Sequence, residues 1–156
     1  MADDATVTVS ASVLPDEIQK VLSGTLSVSP ADANDKWYYK LTSVSNSSTN
    51  LMAGDFIDYT AVDDDTATTA IATGDKVNFL LVQNQSSTAS VYIVVDGGTA
   101  SSTAGDAFLI GASQTWYGRL PNATVDDIHA ISSTGTVNCV VAALPVSYTH
   151  LTLPTM

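Results

Sequence analysis

The sequence predicts an all-β protein, an antiparallel β-sandwich of jelly-roll-like form with one short N-terminal helix. Two observations lead there. Short alternating apolar and polar segments recur about every 8 to 15 residues with turn residues between them, the spacing of sheet proteins and not of βαβ units. Ser and Thr together make up about a quarter of the 156 residues, and Thr suits a pleated surface while Ser suits turns.

Each element has its own signal. "TVTVSASV" at Thr6–Val13 alternates as a half-buried strand does. In "LPDEIQKVLSG", Pro15 suits a first helical turn, Asp16 and Glu17 its positive dipole end, and Gly24 a stop. Ile18, Val21 and Leu22 then share one face of a two-turn helix that must dock on its own sheet or on a neighbouring subunit. Strands follow in "TLSVS", "KWYYKLTSVS", with Trp37, Tyr39 and Leu41 on one side, and "DFIDYTAV". "KVNFLLVQN" from Lys76 and "SVYIVVD" from Ser90, joined by "QSSTA", read as a β-hairpin. "DAFLIG", "QTWYGRL", "DDIHAISS" and "TVNCVVAAL" complete nine or ten strands, enough for two packed sheets. The organisation is an N-terminal arm over residues 1–24, a sandwich over 25–144, and a tail over 145–156. That tail, "PVSYTHLTLPTM", is similar to translated sequencing-adapter DNA, which implies an environmental assembly and a native chain that diverges near Leu144.

Composition removes several function classes. Five Lys and Arg stand against 16 Asp and Glu, a net charge of −11, and the cations are scattered singly at Lys20, Lys36, Lys40, Lys76 and Arg119. No basic stripe for nucleic acid can be built from them. No apolar run is long enough for a membrane-spanning helix, and no signal peptide is visible. The lone Cys139 excludes an internal disulfide and, in phase with Val137 and Val141, is expected to be a buried small hydrophobe.

Few residues could carry chemistry. One credible His, His129, and one Glu, Glu17, cannot supply the ligand set of a metal-dependent jelly-roll enzyme, so neither catalysis nor a cofactor is expected. Asp63, Asp64 and Asp65 are the cation candidates, but they lack the alternate-residue spacing that aims carboxylates at one centre; a solvated acidic loop is expected. Trp116 and Tyr117 could line a subunit interface or, as the alternative, stack on sugars in a carbohydrate-binding or adhesin module.

"VNFLLVQNQSSTASVYIVVDGG", "AFLIGASQTWYGRL" and "DDIHAISSTGTVNCVVAAL", between Lys76 and Leu144, resemble small β-sandwich virion proteins of tailed bacteriophages. The resemblance covers a little under half of the chain. It implies a non-enzymatic, capsid-associated subunit of decoration, cement or head-fibre type. Such a subunit is made in the host cytoplasm and carried on the capsid exterior. It is commonly trimeric and partnered by copies of itself and by the major capsid protein or other virion proteins. No catalytic residues come with it. Ile18, Val21, Leu22, Trp116 and Tyr117 are the interface candidates.

Overall fold

A computed structural model describes residues 4–13, 20–30, 37–59, 68–120 and 122–146. All strand pairs in it are antiparallel, and the described residues include no α-helix. The strands are β1 (Ala5–Val13), β2 (Lys20–Val28), β3 (Trp37–Val44), β4 (Thr49–Asn50), β5 (Asp55–Tyr59) and β6 (Thr68–Ala70). There follow β7 (Lys76–Asn84), β8 (Val91–Val94), β9 (Phe108–Ile110), β10 (Thr115–Arg119), β11 (His129–Ser132) and β12 (Val137–Val146). One 3-10 turn at Val125–Asp127 precedes β11.

The main body is two sheets. One has six strands in the order β10-β7-β12-β3-β5-β6, the other four in the order β4-β11-β8-β9. Alternation explains the layer between them. Leu80 and Val82 of β7, with Val137, Cys139, Val141 and Ala143 of β12, face Val91 and Ile93 of β8 and Ala130 of β11 in one apolar cluster. Burying Val, Leu and Ile side chains fully is worth about 1.5–3 kcal/mol each, so this layer drives the fold.

A bulge lets β7 serve both faces. Leu144 opposes Phe79 but Pro145 opposes Val77, so Asn78 is the extra residue. The phase change turns Val77 and Leu80 to the same inner side while Phe79 points out. Proline lacks an N–H and is tolerated in a sheet at such a break. β12 therefore passes through Leu144, with Pro145 buried and Val146 opposite Lys76; residues 147–156 lie outside the described residues.

Two expectations are corrected. Lys20–Gly24, assigned to the end of an N-terminal helix, is strand: β2 pairs with β1 over nine residue pairs, from Val13↔Lys20 to Ala5↔Val28. An isolated two-turn helix gains few hydrogen bonds for its nucleation cost, whereas the nine-pair ladder bonds alternate residues along its length and presents one side for packing. Residues 14–19, with Pro15, Asp16, Glu17 and Ile18, lie outside the described residues.

The second correction concerns the hairpin read at Lys76–Asp96. β7 pairs with β10 and β12, and β8 with β9 and β11, so the two strands lie in opposite sheets. The connection is an arch across the sandwich, and Asn84 holds its corner. Asn84 is 1% exposed. Its Nδ2 donates to the carbonyls of Ala89 (2.8 Å), Gly111 (3.0 Å) and Ile110 (3.2 Å), and its Oδ1 accepts the Ser86 N–H at 2.9 Å. One side chain thus ties the end of β7 to the approach of β8 and the exit of β9.

Candidate assembly surface

The outward face of the six-stranded sheet is itself apolar. Trp37, Tyr39 and Leu41 do share a side of β3, as their alternation predicts, but that side points away from the main core. Trp37 joins a second cluster with Phe79, Leu81, Leu144, Tyr117 and Val28, its ring meeting Phe79 edge-on at 5.9 Å. Farther along the same face nothing described covers the strand: Tyr39 is 41% and Leu41 57% exposed. Register places Ala142 beside Tyr39 and Leu81, and Val140 beside Leu41, so the exposed pair belongs to a continuous apolar row ending at Tyr117. Residues directly opposite on neighbouring strands are in side-chain reach.

Trp116 and Tyr117 are adjacent on β10 and so face opposite ways. Trp116 packs on the main core, and its ring lies 5.1 Å from Phe108, closing the gap between the edge strands of the two sheets. Its ring also lies over Gly118, where a Cβ would come within 3.1 Å. Tyr117 packs on the outer cluster. These two rings form no common stacking platform. Of the N-terminal candidates, Val21 and Leu22 stand in β2 opposite Ser12 and Ala11, and Ile18 is outside the described residues.

Phe108 and Leu109 are 42% and 58% exposed, and nothing local in the sequence marks them as interface residues. "DAFLIG" signals a strand without saying that it is an edge, and only the topology shows that β9 borders its sheet.

Among the described residues the groups with possible reactivity are dispersed. Asp63, Asp64 and Asp65 lie outside the described residues. Among the described residues no three His, Cys, Asp or Glu side chains are grouped so as to hold a metal ion. His129 is half-buried in β11 between Val94 and Asn50, with Nδ1 buried and making no hydrogen bond. Cys139 is buried in the main core, and burial alone pushes its thiol up from 9.0 to about 11. It therefore stays a thiol, the unreactive form, across physiological pH. No helix among the described residues is long and apolar enough to cross a membrane.

No protein-family model, no curated protein and no solved structure matches the chain.

Proposed function

We propose that this chain is a non-enzymatic structural subunit of a bacteriophage virion, capsid-associated as a decoration, cement or head-fibre protein, built on a jelly roll. One observation carries the assignment: outbound strands pair with return strands in strict order. β3 pairs with β12, β4 with β11, β7 with β10 and β8 with β9. A long hairpin wrapped into two facing sheets has this pairing, and β5-β6 extends one sheet at its β3 side. Viral capsid domains use that wrapping, and lectin domains do too.

Two further features favour assembly. An apolar row with Tyr39 and Leu41 exposed suits burial against another subunit. A net charge of −11 suits a shell exterior better than a DNA-facing interior. Symmetric copies and the major capsid protein are the partners, with a trimer as the favoured state. A carbohydrate-binding or adhesin module is the rival that the same wrapping allows; the opposed Trp116 and Tyr117 rings do not favour it.

The genes that flank the coding sequence test the assignment. Neighbours encoding terminase, portal or major capsid proteins are expected. A setting of polysaccharide-degrading or surface-adhesion genes, with hits for the purified protein on a glycan array, would overturn it.

A further inference from the structure

We infer that the exposed outer face of the six-stranded sheet is occupied by the β1–β2 hairpin of a second copy of this chain. The inference rests on the assembly reading above and names its partner surface. The hairpin has one apolar side: Ala5, Val7, Val9 and Ala11 of β1 alternate with exposed Thr6, Thr8, Ser10 and Ser12. Register aligns that side with Val28, Leu26, Gly24 and Leu22 of β2. Among the described residues, β1 and β2 pair only with each other. The base of the hairpin is seated on its own body, where Val28 is fully buried and Val7 and Leu26 pack in the second cluster. Val9 and Ala11 continue the apolar side beyond that cluster. A two-stranded ribbon is at best marginally stable by itself in water, so the far half needs a surface.

The surface it fits is the one left open beside its own base. The hairpin's own copy leaves Leu41 57% and Tyr39 41% exposed. Five residues of a strand cover about 14 Å, and three gaps between four strands span about the same distance, so the far half matches the width from β3 to β10. Charge permits a second copy there. Two chains at −11 repel each other overall, and least where carboxylates are missing. β1 and β2 contain no Asp or Glu and one Lys, Lys20. The outward positions of β3, β12, β7 and β10 also carry no carboxylate, and Arg119 stands at their border. Apolar, carboxylate-free surface on both sides is where like-charged copies can approach.

Sedimentation velocity on the full chain tests this. Val9→Asp and Leu41→Asp should each weaken self-association roughly 100-fold, because either leaves a carboxylate in an apolar contact. Ser10→Asp, on the polar side of the hairpin, should leave it unchanged. Circular dichroism must show the sandwich intact in each variant. As an independent measurement, Val9→Cys and Leu41→Cys chains are mixed with a bismaleimide cross-linker; a covalent dimer should form only in the mixture, with the buried Cys139 silent. If the wild type assembles and both Asp variants assemble as well, with no cross-linked dimer, the arm exchange is wrong while the assembly reading survives. If the wild type is a monomer at every concentration, both fall.

Discussion

Replacing Asn84 with Ala removes side-chain hydrogen bonds to four backbone groups at the corner between the sheets, three carbonyls sharing the two amide protons. Two of them, to Ala89 and Ile110, lie in fully buried surroundings, and two, to Gly111 and from Ser86, are partly buried. Weighting a buried bond at about 1–1.5 kcal/mol and a partly buried one at about 0.5 gives a loss of about 3–4 kcal/mol. That is a large share of an ordinary domain's 5–15 kcal/mol and corresponds to roughly 10 °C in Tm for a chain of this size. Urea unfolding followed by Trp fluorescence measures it. Asn84→Asp sharpens the test through pH. Its carboxyl would face three carbonyl oxygens in a buried site, which favours the protonated form and raises the folded-state pKa above the unfolded value near 4. The folded state then binds more protons than the unfolded one above about pH 4, so stability falls as pH rises from there toward 7. A loss below about 1 kcal/mol for Asn84→Ala, or an Asn84→Asp variant indifferent to pH between about 4 and 7, would refute the corner's role.

Cys139 should resist a disulfide reagent in the native protein and react fully in urea; rapid native labelling would contradict its burial. Its thiol, held at about 11 in the folded chain against 9.0, makes the native state bind the extra proton in that window, so its contribution to stability is lost as pH rises from about 9 to about 11. Gly118→Val should displace the Trp116 ring from the main core, shift its emission and cost about 1–3 kcal/mol; an unchanged spectrum would contradict the close packing.

The sheet body was legible because alternation runs through β12 and, on the far side of its bulge, through β7, whose inward positions are apolar almost without exception. What failed was connectivity. A polar linker such as "QSSTA" can turn a strand back on its neighbour or carry it across to the other sheet, and both outcomes use the same turn residues. The discriminating group is Asn84, a buried amide that needs several backbone partners at once, and those partners include Ile110 and Gly111, 26 and 27 residues away in sequence. Ile18, Val21 and Leu22 have helical spacing and Pro15, Asp16 and Glu17 are good starters, so local preference favours a helix that runs to Gly24. Local preference lost at Lys20–Gly24 to a hairpin ladder with Val9–Val13, which a window opened at the helix start, Pro15, leaves out. Trp37, Tyr39 and Leu41 were placed on one side correctly, but periodicity cannot say which side of a sheet meets the core. The exposed row at Tyr39 and Leu41 therefore became visible only once β12 and β7 were seen on either side of the same face.

Wild-type sedimentation at micromolar concentration bears most directly on whether this wrapped sandwich exists to put its outer faces against copies of itself. A discrete species of three or more chains of 16.2 kDa, persistent on dilution, is the predicted result. A lone 16.2 kDa particle across the whole range, with Tyr39 and Leu41 left facing water, would contradict it.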